Sequence, residues 1–244
     1  MKTLEYGKPA EWAAQQKWKR RGKAAKNYVT ATIVIIAVLA VAGLALFMDE
    51  FSPAVRITAV LIVALAGGIY AYTQLTAGKK AWKRSTHARI GVDSERQVQK
   101  VVRRQNPVAA VYGAKLGPRQ GDCDLILVGK DLSLAAVEIK TGQGRVTVDG
   151  NTVRAGRNSM QRDPIGQAMK GAQRLEKALA TEALPVLCVP GMTNKPFFTD
   201  SGVLVCSAKL LVPALENYGN PAFTSREEAE SACTDLWRRH LSYS

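Results

Sequence analysis

The sequence predicts an α/β domain, with a central sheet flanked by helices, preceded by a two-helix transmembrane hairpin. Three observations carry this. Residues 28–48 and 57–77 are two runs of about 20 predominantly apolar residues with no charge in either, the length needed to cross a bilayer core. Beyond residue 90, short apolar runs alternate with amphipathic stretches of helical length. Residues 125–128 and 132–137 flank Gly129-Lys130-Asp131 as a β-hairpin, and the second run is apolar enough to be a central strand covered on both faces.

Charge supports the membrane reading more than a nucleic-acid reading. The chain carries a formal +14. Residues 1–27 contribute +6 and residues 79–104 contribute +7, whereas residues 105–244 contribute only +2. The excess therefore flanks the two apolar runs, with Lys17, Lys19, Arg20, Arg21, Lys23 and Lys26 before and Lys79, Lys80, Lys83 and Arg84 after. The connecting segment, residues 49–53, has no Lys or Arg and includes Asp49 and Glu50. The positive-inside rule then puts both termini in the cytoplasm, with two spans in the inner (plasma) membrane. Tyr28, Tyr70 and Tyr72 fall near the expected interfaces, and the basic flanks suit anionic lipid. The competing reading, a pair of buried helices in a soluble protein, needs two long uncharged runs to be hidden in a small chain. The first run lies too far from the N-terminus to be an ordinary signal peptide.

The remaining elements follow in order. Residues 1–27, with Trp12 and Trp18 among Lys, Ala and Gln, read equally as an amphipathic helix on the membrane surface or as a solvated tail. Residues 79–90 read as a basic polar linker before a domain spanning residues 91–244. A helix is expected from Asp93 or Ser94 as N-cap, with Glu95, Val98 and Val102 on one face. A strand follows at 108–112, then the hairpin above. A second hairpin at 145–154 turns at Asp149-Gly150-Asn151. Asp163 and Pro164 are cap and first residue of a helix running to about residue 180, with Gln167 at the edge of its apolar stripe. Strands at 184–189 and 203–206 and helices at 208–217 and 225–241 complete the chain.

Several chemistries are excluded. Cys123, Cys188, Cys206 and Cys233 lack zinc-ligand spacing, and His87 and His240 are isolated, so zinc fingers and His-metal sites do not fit. The thiols suit a reducing cytosol. No phosphate-binding P-loop and no serine-nucleophile elbow is present. What remains is carboxylates and one lysine. Glu138 and Lys140 end the central strand, and period two puts both side chains on one face about 7 Å apart. An isolated charge beside a core strand is costly, so the hairpin's Asp124 and the Glu138/Lys140 pair together predict a divalent-metal site with a lysine beside it. A three-residue loop would set Val128 opposite Leu132, Asp124 opposite Ala136 and diagonal to Glu138, and Asp122 directly opposite Glu138. Asp124 is preferred as the ligand because it immediately precedes the apolar run, where the strand pins its direction.

Gly91-Val-Asp-Ser-Glu95, Gly121-Asp122-Cys-Asp124, Glu138-Ile-Lys140 and Pro164-Ile-Gly-Gln167 follow one another in an order that resembles the nuclease-related domain family, over roughly residues 90–211. That family looks like a branch of the PD-(D/E)xK nucleases. The resemblance implies a restriction-endonuclease-like core with a mixed central sheet. It implies Glu95 as helix carboxylate, Asp124 as metal-binding aspartate, Glu138 and Lys140 as the ExK pair and Gln167 as the late polar residue. Relatives often follow the lysine with Asn-Trp, whereas Thr141-Gly142-Gln143-Gly144 stands here. On this reading Mg²⁺ (or Mn²⁺) is held by Asp124, Glu138 and the Ile139 carbonyl. Arg145, Arg154, Arg157 and Arg162 are expected either to grip a nucleic-acid backbone or to form a solvated surface. The function expected is a membrane-anchored, metal-dependent nuclease acting on DNA at the cytoplasmic face. The alternative is a catalytically silent nucleic-acid-binding or scaffolding module of a membrane assembly.

Overall fold

The architecture comes from a computed structural model that describes residues 4–6, 11–46, 52–117, 122–160 and 162–242. It divides into two compact units. One comprises Met1–Glu11 with Ile90–Ser244, and the other is Trp12–Arg89.

The chain opens with β1 (Leu4–Tyr6), followed by the long helices α1 (Glu11–Leu46) and α2 (Pro53–Gln105). Arg21–Leu44 and Pro53–Lys83 are each long and apolar enough to cross a membrane. In the second unit the helices meet along small residues: Ala24, Ala31 and Ala71 are buried. A Cβ added at Gly67 would meet Val38, and one at Gly78 would meet the Tyr28 ring. The large apolar side chains lie outside this seam. Leu39 is 67% exposed and Leu65 68% exposed, which is the reverse of a soluble core helix. The predicted 49–53 connection lies outside the described residues up to Phe51.

Two expectations are corrected here. The basic stretch 79–90 is helical, so Asp93 and Ser94 lie inside α2 rather than capping a new helix. The stretch holds no proline, and Lys, Ala and Arg are good helix formers, so polarity alone does not break it. The N-terminal segment is neither a surface helix from its start nor a free tail, because β1 pairs in parallel with the strand that follows α2. Tyr6 stacks on Trp237 at 5.9 Å and its hydroxyl hydrogen-bonds Thr234, while Glu5 pairs with Arg103 at 2.6 Å. Trp18 is exposed, and the Trp12 side chain lies outside the described residues.

After α2 come β2 (Ala109–Lys115), β3 (Asp122–Val128), β4 (Leu134–Ile139) and the short β5 (Gln143–Gly144). Next are β6 (Val146–Asp149), β7 (Thr152–Ala155) and β8 (Asn158–Ser159), with the predicted turn at Gly150, whose φ is +53°. Then follow α3 (Pro164–Leu179), β9 (Leu184–Cys188), β10 (Gly191–Met192), β11 (Phe197–Phe198) and β12 (Leu204–Cys206). A 3₁₀ turn, α4 (Leu211–Tyr218) and α5 (Arg226–Ser242) end the chain.

The main sheet has seven strands in the order β1-β2-β3-β4-β9-β12-β11. It is mixed. β2, β3 and β4 are antiparallel neighbours, whereas β9 runs parallel to both β4 and β12. The parallel β4/β9 step requires a crossover, which α3 supplies. α3 (Ala172, Leu175) and α5 (Ala229, Cys233, Leu236) cover one face against Ile126, Leu134 and Ala136. The end of α2 (Val98, Val102) and α4 (Leu211, Leu215) cover the other against Leu125, Leu127, Ala135 and Val137. Covered on both sides, β4 is apolar until Glu138, as a central strand must be.

The sequence signal at α3 is fully expressed. Asp163 caps it, accepting from the Gly166 N–H at 3.0 Å, and Pro164 takes the first turn, where a missing N–H costs nothing. Asp163 also holds φ +36°, a conformation that Asn and Asp tolerate better than other non-glycine residues. Asp163→Ala should therefore lower stability by about 1 kcal/mol, or about 2–4 °C in the thermal midpoint of the full chain in detergent, with Asp163→Asn close to wild type.

Candidate active site

The β3/β4 pairing builds the site. Its register sets Val128 opposite Leu134 and Leu125 opposite Val137, so the next position on each strand is Asp124 opposite Glu138. This corrects the expected register by two residues. The loop is longer than three residues because Leu132 adopts φ +68° and stays out of the strand. The Asp131 carboxylate closes the loop by accepting from the Ser133 N–H and hydroxyl, and the Gly129 N–H donates to the Ser133 carbonyl. Asp122 is consequently not the residue facing Glu138.

Asp124 is fixed by its own strand pair: its Oδ2 accepts the Ile139 N–H at 2.8 Å. Glu138 Oε1 and Lys140 Nζ form an ion pair at 2.5 Å. The Lys140 N–H donates to the Cys188 carbonyl, which anchors that end of β4 on β9. Glu95 arrives on α2, one residue after Ser94, whose hydroxyl hydrogen-bonds Thr141 at 2.9 Å. Gln167 projects from the second turn of α3; among the described residues its buried Oε1 has no hydrogen-bond partner. A cavity of about 360 Å³ opens between β3, β4 and α3, lined among others by Asp122, Asp124, Glu138, Gln167, Lys170 and Arg174.

The carboxylates crowd one another. Burial, then the Glu138 charge, pushes the Glu95 carboxyl up to about 7, against a smaller downward pull from Lys140. Asp124 is raised for the same two reasons in the same order; the Ile139 N–H opposes this, Glu95 adds to it and Lys140 reduces it. Repulsion among partly desolvated acids is relieved by a cation, and hard oxygen donors suit Mg²⁺ or Mn²⁺. Among the described residues no three acidic, histidine or cysteine side chains converge as a closed metal cage. Mg²⁺ does not need one, because it usually binds through one or two carboxylates and keeps waters. The Asp124/Glu138 pair fits that requirement. Burial pushes the Cys123 thiol up to about 12.

Residues 90–193 match the family model of the nuclease-related domain, NERD. No curated protein and no solved structure matches. The matched segment begins where the motif order suggested and stops short of residue 211. It contains Glu95, Asp124, Glu138, Lys140 and Gln167, and it excludes β11, β12, α4 and α5. Within the matched segment, Arg154 lies on the small β6-β7-β8 sheet, Arg145 and Arg157 flank its strands and Arg162 precedes α3. All four are exposed and none lines the cavity. Gly121 of the Gly-Asp-Cys-Asp motif lies outside the described residues.

Two features escaped the sequence reading. Gly113 stands opposite Asp124 at a position the β2/β3 pairing skips, and it holds φ +64°. Past this point the strand faces invert: Tyr112 and Leu125 belong to one core cluster, Ala114 and Cys123 to the other. A glycine inside a strand pattern was the available signal, and such kinks re-aim side chains. Lys170 and Arg174 are three and seven residues beyond Gln167, which puts them on its face of α3, a periodicity visible in the sequence.

The raised Glu95 carboxyl has a signed consequence. Between about pH 4.5 and 7 the native state binds more protons at Glu95 than the unfolded chain, so stability falls as pH rises through that window. In chelator, Glu95→Gln should raise the thermal midpoint relative to wild type more at pH 8 than at pH 5. An equal offset at both values would show that Glu95 titrates normally.

Proposed function

We propose that this chain is a membrane-anchored, metal-dependent nuclease that hydrolyses phosphodiester bonds of nucleic acid, with DNA as first substrate, on a restriction-endonuclease-like core of PD-(D/E)xK type. One observation carries the reading: in a segment that matches a nuclease-related family, Asp124, Glu138 and Lys140 meet at the adjoining ends of β3 and β4, beside a cavity.

Asp124, Glu138 and the Ile139 carbonyl are the residues that would hold Mg²⁺ or Mn²⁺. Bound there, the ion would neutralise charge on the scissile phosphate and lower the pKa of a water. The chain's own groups do the rest. Lys140, released from Glu138, orients the attacking water or opposes charge developing on phosphate. Glu95, with its carboxyl near 7, is matched to exchanging a proton close to neutral pH. The unpaired Gln167 Oε1 is an acceptor suited to a water hydrogen. The silent-module alternative draws on the Glu138–Lys140 ion pair, which already satisfies both charges within the protein.

Glu138→Gln and Lys140→Met each preserve side-chain volume and should lower Mg²⁺-dependent cleavage by the full chain at least about 100-fold. Cleavage at wild-type rate by both variants would favour the silent module.

The membrane arrangement has support of its own. β1 sits beside β2 in one sheet, yet α1 and the apolar part of α2 lie between them in the chain. Strand pairing requires both ends to be on the same side of a membrane, so the number of crossings between them is even. Two spans satisfy this, and the basic flanks assign the shared side to the cytoplasm. On a background lacking the native cysteines, a cysteine at Ser52 should react with an impermeant reagent in intact cells and one at Ser225 should not. The reverse labelling pattern would invert the topology.

A further inference from the structure

We propose that the face of α3 carrying the exposed Lys170 and Lys177 and the half-buried Arg174, joined by Arg239 of α5, is the track that holds the phosphodiester backbone of the nucleic acid leaving the candidate active site. The proposal rests on the nuclease reading and extends it to where the substrate lies.

Gln167, Lys170, Arg174 and Lys177 recur at three- and four-residue intervals, so one helix face carries a cavity-lining amide and then three cations. Lys170 and Arg174 line the carboxylate cavity. They also line a second depression of about 320 Å³ with Leu116, Gln173, Lys177 and Ala178. The two depressions share Leu116, Lys170 and Arg174 and so adjoin along α3, the first reaching Asp124 and Glu138 and the second Lys177 and Ala178. There Arg239 donates to the Ala178 carbonyl at 3.2 Å, adding a cation from a separate element. The one acid of α3, Glu176, turns away and accepts from the Ala183 N–H. Among the described residues Lys170 and Lys177 form no ion pair. The helix dipole accounts for a lysine in the last turn but not for cations two turns earlier.

Dimensions agree with the ligand. Lys170 to Lys177 spans about 10 Å at 1.5 Å per residue. That is the rise of about three nucleotides of one strand at 3.4 Å each. Point cations along a groove read phosphates rather than bases, so binding here is sequence-independent and salt-sensitive.

The test uses the full chain in neutral-lipid nanodiscs, carrying Glu138→Gln, in chelator, with a short fluorescent DNA duplex of mixed sequence titrated at several salt concentrations. Lys170→Gln/Arg174→Gln should weaken binding and lower the log–log salt slope by about 2, at about 0.9 per lost phosphate contact. Lys170→Arg/Arg174→Lys should restore both. Arg154→Gln/Arg157→Gln, on the small sheet, should change the slope less. An unchanged slope in the α3 variant, with wild type cleaving DNA, would overturn the track and leave the nuclease reading intact. Track-dependent binding without cleavage by wild type would uphold the track and overturn the nuclease. Wild type that neither binds nor cleaves would overturn both.

Discussion

The antiparallel register of β3 and β4 is the constraint on which the site depends. It sets Asp124 and Glu138 at facing positions, and the Ile139 N–H bonded to Asp124 holds that alignment. A one-residue slip would turn the strand's apolar residues from one covered face to the other and carry the acids with them. The five-residue turn that ends with Ser133 is therefore part of the site, although it lies at the opposite end of the strands. Its Asp131 bonds and the left-handed Leu132 determine which residues meet.

Around that pair the protein concentrates charge where burial makes it expensive. Glu95 comes from a helix on one face of the sheet and Gln167 from a helix on the other. Burial and the Glu138 charge raise the protonation of Glu95 and Asp124, and among the described residues Lys140 and the Ile139 N–H act against this. A stable core would not select such an arrangement, since replacing buried ionic groups with apolar ones is often neutral or stabilising. Gly113, opposite Asp124, supplies the left-handed backbone there without the steric cost another residue would carry, and so places a strand irregularity beside the candidate site.

The N-terminal strand brings the segment before α1 into the same sheet as the strand that follows α2. Leu4–Tyr6 is short, but Tyr6 on Trp237 and Glu5 on Arg103 give it side-chain contacts that three backbone pairings alone would not supply. It also covers the edge of β2, which would otherwise present unpaired backbone groups.

Much of this was legible in the sequence because local chemistry dictates it. Apolar period and length defined the apolar stretches of the two long helices, the β3/β4 hairpin and the buried β4. Asp163-Pro164 defined the start of α3, and Glu138-x-Lys140 stood out because charge at the end of an apolar strand needs a reason. What the sequence could not determine was decided by contacts between distant segments. A polar stretch at 79–90 is compatible with both linker and helix, and the structure makes it helix. Leu4–Tyr6 carries too few residues to signal a strand until β2 and α5 are beside it. The register of Asp124 rests on one left-handed residue in a loop, and the depressions along α3 exist only once Leu116 lies across from it. Hydrophobic periodicity is a local property and can be read along a chain; register and juxtaposition are set by which surfaces bury each other, and only the tertiary structure fixes those.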